Sequence, residues 1–373
     1  MRRVQTDYIL KDLEKKMVLL VGPRQVGKTW LAKEIGKQFV NTVYLNYDNF
    51  TDRETMRNEG WYAKTDLLIL DEVHKMPDWQ TWLKGIFDTR PEGLRILVTG
   101  SARMDIMTHS GESLAGRYFR HRLLPFSLSE LKNTDFSHQI DRLLQRGGFP
   151  EPFLAENDID TARWRNQYID GLIRYDILDF QRIVDFRALQ LTVDLLRQRV
   201  GSPISYSSIA RDINASPTTI AKYIQLLEAL FLVFRVPPFS RDIARSLLKE
   251  PKIYFYDTAM VNGDAGARLE NLVAVSLLKD LLGRNDYLGE RWRLHYLRTK
   301  EGRETDFALI KDERIHQIIE CKSSDGRPDK NLFHFSSKYS LRAIQLVGNL
   351  RNDQMVRNIE MRNTGRFLEE LFL

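Results

Sequence analysis

Met17-Val18-Leu19-Leu20-Val21 runs straight into Gly22-Pro23-Arg24-Gln25-Val26-Gly27-Lys28-Thr29. Five apolar residues without a charge read as a short buried strand. The next eight match G-x-x-x-x-G-K-[ST], and a helix is expected over about 29–39. Strand, glycine-rich loop and helix is the order a phosphate site needs. The loop's backbone N–H groups converge on an anion, and the helix N-terminus adds the positive end of its dipole. Lys28 is expected to reach the β- and γ-phosphates, and the Thr29 hydroxyl to ligate Mg²⁺. The stretch Gly22, Pro23, Arg24, Gln25, Val26, Gly27, Lys28, Thr29 and Trp30 is thus the expected nucleotide contact, with ATP and Mg²⁺ as ligands. The plain alternative is a glycine-rich turn before a helix.

Working outward, short apolar runs recur at 42–45, 67–70 and 96–99, with helical stretches between them. Short buried strands separated by helices predict an α/β fold with a parallel sheet covered on both faces. The run at 67–70 ends in Asp71-Glu72, on the edge where such sheets bind ligands. Asp71 is expected to hold Mg²⁺ through water, and Glu72 to orient and deprotonate the attacking water. Acids capping the next turn are the competing explanation. The run at 96–99 ends in Gly100-Ser101, which puts a polar side chain within reach of a γ-phosphate. About one helix later comes Arg117, with Arg103 as a second choice for an arginine finger. Arg117 paired with Glu112 is an equal alternative, and a finger acting in trans implies a homo-oligomer.

Length and composition fit this picture. The chain has 373 residues, enough for two or three domains. Apolar residues make up 43% and charged residues 28%, which argues against wholesale disorder. Lysine and arginine exceed the acids by 56 − 50 = 6, a mildly basic balance that permits a nucleic-acid partner without demanding one. One cysteine, Cys321, excludes an intramolecular disulfide framework and fits a reducing cytoplasm. The seven histidines are scattered and do not form zinc-finger spacings. No apolar run approaches the length of a membrane span. The opening MRRVQTDYIL meets charged KDLEKK, so no secretory signal is expected.

Four regions are expected: 1–124 as the ATPase domain, 125–198 as a helical lid or linker, 199–250, and 251–373. In the third, 206–213 and 217–229 carry apolar residues at helical spacing. Ser216 is placed as N-cap and Pro217 as first helical residue. Ile220, Ile224, Leu227 and Leu230 form the inner stripe, and Thr218, Thr219, Lys222 and Gln225 the outer one. A strand over 231–236 follows. Two helices and a wing describe a winged helix-turn-helix. In a DNA-binding role Thr218, Thr219 and Lys222 would meet the duplex, with Arg211, Arg235 and Arg241 on its backbone. The same shape also serves as a protein-docking module.

In the last region, Glu270 lies early in a helix expected over 267–282. Asp306 lies in a strand, and Glu320-Cys321-Lys322 ends another, with Glu320 and Lys322 on one face. Helix Glu, strand Asp, strand Glu-x-Lys resembles the PD-(D/E)xK nuclease superfamily. That resemblance implies a second Mg²⁺ or Mn²⁺ on Glu270, Asp306 and Glu320, with Lys322 activating water. Ordinary cross-strand pairs, or a nuclease fold without turnover, are the alternatives. Residues 331–373 are expected only to pack.

GPRQVGKT, LLILDEVHKMPDW, ILVTGSA, SLAGRYFRHRLLPFSLSEL and GGFPEP follow one another in this order. YFYDTAMVN, ARLENLVA, RETDFALI and IIECK come after them. Together they resemble a prokaryotic family of AAA+ ATPases with a C-terminal domain of unknown function. The resemblance implies Walker A roles for Lys28 and Thr29, Walker B roles for Asp71 and Glu72, a sensor at Ser101 and, less directly, a finger at Arg117. No second sensor arginine is evident in the helical region. The expectation is therefore a cytoplasmic Mg²⁺-dependent ATPase that couples nucleotide state to a DNA-binding or DNA-cleaving C-terminal half. The alternative is an ATP-dependent switch or protein scaffold with an inactive nuclease-like domain.

Overall fold

Five parallel strands form the first sheet of this computed structural model, which describes residues 2–61, 64–100, 114–172, 185–240, 250–324 and 326–373. After helix α1 (Gln5–Leu13) come β1 (Met17–Val21), α2 (Lys28–Gly36), β2 (Thr42–Asn46), α3 (Phe50–Arg57), β3 (Leu67–Asp71), α4 (Trp79–Thr89), β4 (Arg95–Gly100) and β5 (Tyr118–Arg122). The strand order is β2-β3-β4-β1-β5. All five residues of β1 and of β3 are buried, as expected for parallel strands covered on both faces. One face of the sheet meets Trp79, Leu83 and Ile86 of the amphipathic α4. The register pairs Val21 with Gly100 and with Arg122, Asp71 with Thr99, and Asn46 with Asp71. The C-terminal ends of all five strands therefore share one edge.

The fifth strand was not expected from sequence. Tyr-Phe-Arg-His-Arg lacks an apolar run because β5 is an edge strand, and among its residues only His121 is fully buried. His121 spends that burial on Asp12, 2.9 Å away.

Tight α-carbon contacts divide the chain into two units, Met1–Leu124 and Pro125–Leu373. The second opens with short helices α5 (Leu128–Leu131), α6 (Ile140–Arg146), α7 (Pro150–Leu154), α8 (Asp158–Gly171) and α9 (Phe186–Gln198). Next come α10 (Tyr206–Asp212), α11 (Pro217–Ala229), and the antiparallel pair β6 (Val233–Val236) and β7 (Lys252–Phe255). The boundary expected at 250/251 falls between these two strands of one ladder. Phe231 takes φ +56° in the turn out of α11, so the strand starts two residues later than its apolar run.

The helix expected to end at residue 282 continues as α12 (Ala265–Leu288). It packs on a six-stranded sheet of β8 (Trp292–Arg298), β9 (Glu304–Lys311), β10 (Arg314–Lys322), β11 (Ala343–Val347), β12 (Gln354–Val356) and β13 (Ile359–Asn363). The order is β12-β13-β11-β10-β9-β8. Helices α13 (Lys330–Tyr339) and α14 (Thr364–Glu369) accompany it. Residues 331–373 thus extend the sheet, with β11 parallel to β10.

Two motifs of the second unit have packing explanations. At Gly147 (φ +76°) a Cβ would collide with the buried Asp257 carboxylate, and at Gly148 one would lie 2.6 Å from the Phe126 carbonyl. The pair Gly147-Gly148 therefore threads between two other segments. Glu130 of the Ser-Glu-Leu stretch is buried against Lys279, whose ammonium also reaches the Pro125 carbonyl at 2.7 Å.

Candidate nucleotide site and the acidic cluster of the second unit

The loop between β1 and α2 bends through φ values of +151° at Gly22, +59° at Gln25 and +97° at Gly27. Gly22 has no room for a side chain, because a Cβ would run into the Leu123 carbonyl just beyond β5. Lys28 is buried at the start of α2, and its Nζ donates to the carbonyls of Gly22 (2.9 Å) and Pro23 (2.6 Å). Beside it, Thr29 donates its hydroxyl to Asp71 Oδ2 at 2.8 Å. Val26 is buried under the loop, and Trp30 is exposed.

Asp71, 2% exposed at the end of β3, is the centre of this corner. Tyr44 Oη donates to its Oδ2 at 2.7 Å, and Thr99 Oγ1 donates to Oδ1. Burial pushes the Tyr44 phenol up, and the hydrogen bond to Asp71 adds to the shift. Glu72 takes a left-handed conformation, φ +57°. Its Oε2 lies 3.4 Å from Lys75 Nζ and 3.7 Å from His74 Nε2. The structure therefore brings together Gly22–Thr29, Asp71 and Glu72, all foreseen, with Tyr44 and Thr99, which were not. Thr99 was visible as the polar end of an apolar strand. Tyr44 becomes meaningful only once β2 is known to lie beside β3.

The finger candidates fare differently. Ser101, Arg103 and Glu112 lie outside the described residues. Arg117 precedes β5, at the end of the sheet opposite the loop, and its carbonyl accepts from Met17 N–H at 3.2 Å. A five-residue strand separates it from the phosphate edge by roughly 16 Å, so it does not serve the site of its own chain. Its guanidinium makes a two-pronged pair with Asp88, at 2.8 and 2.9 Å.

In the second unit, a short turn joins α10 to α11, and Ser216 caps α11 by accepting from Thr219 N–H at 3.0 Å. Ile220, Ile224, Leu227 and Leu230 are buried, while Arg211, Thr218, Lys222 and Gln225 are exposed. Arg235 is exposed and pairs with Glu228 at 2.7 Å. Arg241 lies outside the described residues.

Glu270 and Asp306 come together around an unforeseen lysine, and Glu320 lies beside the Asp306 backbone instead. Lys252, on β7 and 1% exposed, places Nζ 2.9 Å from Glu304 Oε1, 3.0 Å from Asp306 Oδ1 and 3.4 Å from Glu270 Oε1. Burial pulls Lys252 down, but Asp306, Glu270 and Glu304 outweigh it and hold the amine charged. Burial, and then Asp306, push Glu270 up to about 7 and Glu320 up to about 8. Lys322 folds back onto Glu320 at 2.7 Å. Among the described residues, no group of three or more His, Cys, Asp or Glu side chains is disposed to hold a metal ion. The second metal expected on Glu270, Asp306 and Glu320 is thus not supported by the geometry.

Residues 14–132 match the AAA domain family. Residues 137–270 and 265–362 match two domains of unknown function, DUF8612 and DUF4143. An uncharacterized protein of Mycobacterium tuberculosis is 27% identical over 307 residues, covering 78% of this chain and 66% of that protein. The chain thus spans just under two thirds of that relative's length. An uncharacterized protein of Haemophilus influenzae is 24% identical over 386 residues, covering 92% of each. Among solved structures, the Walker-type ATPase of Pyrococcus abyssi is similar at a TM-score of 0.45 and 13% identity, over 69% of this chain and 93% of that one. That likeness is loose. No helix among the described residues is long and apolar enough to cross a membrane. Over residues 14–132 the chain is therefore similar to the AAA domain family, and over residues 265–362 to DUF4143.

Proposed function

We propose that this protein is a Mg²⁺-dependent ATPase that couples its nucleotide state to a DNA-binding C-terminal half. The observation that carries the ATPase reading is the Thr29 hydroxyl 2.8 Å from the Asp71 carboxylate, one residue from a buried lysine that donates to the loop carbonyls of Gly22 and Pro23. Thr29 and Asp71 have the hard oxygen donors that suit Mg²⁺, and would hold it directly and through water; when bound it supplies charge neutralisation at the phosphate oxygens. Lys28 exchanges the Gly22 and Pro23 carbonyls for phosphate oxygens. The N–H groups of 22–29 and the start of α2 receive the remaining charge. Glu72 takes the proton of the attacking water. Arg117 enters only in trans, in a homo-oligomer, after release from Asp88.

Coupling has a short route. Leu123 N–H donates to the Val21 carbonyl at 2.9 Å, and Gly22 abuts the Leu123 carbonyl. A loop that rearranges on ATP therefore pushes on the last residues before Pro125. Exposed Lys222, Gln225 and Thr218 on α11 supply the face for DNA. A second reading, a nucleotide-driven switch for a protein partner, is favoured by the Arg235–Glu228 pair, which offsets the charge of one of the cations expected on DNA.

ATP turnover with Mg²⁺, in wild type, Lys28→Ala and Glu72→Gln, tests the enzyme. Turnover lost in both variants is expected, and unchanged turnover in both removes the ATPase. A salt titration of duplex binding separates the two readings. Binding whose log K falls by about 0.9 per phosphate contact against log salt supports DNA, and a flat or absent response supports the protein partner.

A further inference from the structure

The acidic cluster of the second unit already contains a cation. Lys252 Nζ has three N–H donors, and three carboxylates from two elements surround it: Glu270 of α12, and Glu304 and Asp306 of β9. A divalent ion in the same place needs oxygens at about 2.0–2.6 Å and room for six or more ligands. The surrounding oxygens are engaged elsewhere as well. Tyr254 Oη donates to Glu270 Oε1 at 2.6 Å, and Cys321 N–H to Asp306 Oδ2 at 2.9 Å. Glu320 turns away: its Oε1 receives Lys322, and its Oε2 receives the Thr305 hydroxyl at 3.2 Å and Asp306 N–H at 3.3 Å. Behind Glu270 the space is closed, since a Cβ at Gly201 would lie 2.7 Å from Oε2.

We infer that the Lys252 ammonium is the resident cation of this cluster, and that Glu270, Glu304 and Asp306 hold β7, α12 and β9 together instead of holding a divalent metal. The nuclease-like arrangement of carboxylates is then a structural ion-pair centre. The unit is a binding module, and DNA cleavage is not among its activities. This does not rest on the nucleotide reading, since every residue involved lies between 201 and 322.

The physical reason is charge balance. Three carboxylates without a cation repel one another, and removing one member of a buried charge group leaves the others uncompensated. A lysine on the neighbouring strand supplies that charge permanently, so the fold does not depend on metal supply.

The test uses the full, nucleotide-free chain with Mn²⁺ as probe, read by electron paramagnetic resonance and by thermal unfolding. In wild type, no Mn²⁺ uptake that Asp306→Asn abolishes is expected, and the unfolding temperature is the same in EDTA and in Mn²⁺. Lys252→Ala unfolds at a lower temperature than wild type, and Mn²⁺ affinity at the vacated centre rises at least about tenfold, as expected when oxygen ligands are freed. One Mn²⁺ per wild-type chain, lost in Asp306→Asn, overturns the inference. So does Lys252→Ala unfolding at the wild-type temperature. Should Lys252→Ala fail to fold, the wild-type and Asp306→Asn titrations decide alone.

Discussion

Replacing Asp257 with asparagine removes a charge from one of the most enclosed carboxylates in the protein. Asp257 follows β7, is 1% exposed, and faces Gly147 at a distance that admits no side chain there. Burial pushes its carboxyl from 3.8 to about 6, against the Arg165 charge and the Ala259 N–H that favour the anion. A raised folded value means that the native state holds its proton more tightly than the unfolded chain does. The associated stability is fully present below pH 3.8 and is lost as pH rises through about 6. Across the window the loss is about 3 kcal/mol, at about 1.4 kcal/mol per unit. Between about pH 4.5 and about pH 7.5 it is about 2 kcal/mol.

Asparagine keeps Oδ1 as acceptor for Ala259 N–H (3.2 Å) but does not titrate. Its amide carries a cost of about 1–3 kcal/mol if its N–H groups go unpaired, and that cost does not depend on pH. The decisive quantity is therefore the slope. Relative to wild type, Asp257→Asn gains about 2 kcal/mol between the two pH values, or roughly 4–8 °C in unfolding temperature for a unit of this size. Calorimetry of both proteins at matched ionic strength measures it. A wild-type-minus-variant difference that is flat with pH, or that changes the other way, would falsify the buried-carboxylate account.

Three further outcomes follow from the contacts. Tyr44→Phe leaves Asp71 with Thr29 and Thr99 but removes one donor to a charged group, so ATP turnover should fall about three- to tenfold with the fold intact; turnover equal to wild type makes Tyr44 a bystander. Lys279→Met strips the buried Glu130 of its ammonium and should cost about 3–5 kcal/mol in denaturant unfolding, largely recovered by adding Glu130→Leu; no recovery would mean that Lys279 matters through Pro125 instead. Arg117→Ala should match wild-type turnover in dilute protein and fall behind as concentration rises, because the arginine is on the wrong edge of its own sheet; an equal deficit at every dilution contradicts action in trans.

What the sequence displayed, and what it concealed, follows from covalent distance. Gly22 to Thr29 are neighbours along the chain, so their spacing alone dictates a loop that turns N–H groups inward. Asp71 was legible because a buried strand announces its own end. Tyr44, Asp88, Glu228 and Lys252 matter through partners 27, 29, 7 and 18 to 54 residues away. No periodicity records such pairings. The edge strand β5 was concealed for a different reason: half-buried edge strands carry polar residues, so Tyr118 to Arg122 lack an apolar run to mark a strand.

Lys28 and Lys252 show how far residue type underdetermines role. Both are buried lysines. What separates them is what each must release to serve a ligand. Lys28 donates to the neutral carbonyls of Gly22 and Pro23, and a phosphate offers charged oxygens in exchange for them, so those hydrogen bonds strengthen on binding. Lys252 donates to carboxylates, and any ligand that displaced it would strand a buried ammonium without its ion-pair partners. Backbone geometry enforces the difference. Lys28 sits at the mouth of a glycine-bent loop that can rearrange, whereas Lys252 is fixed in the ladder opposite Val236. A buried lysine thus becomes machinery where a phosphate can replace loop carbonyls, and framework where its partners are carboxylates fixed in neighbouring elements.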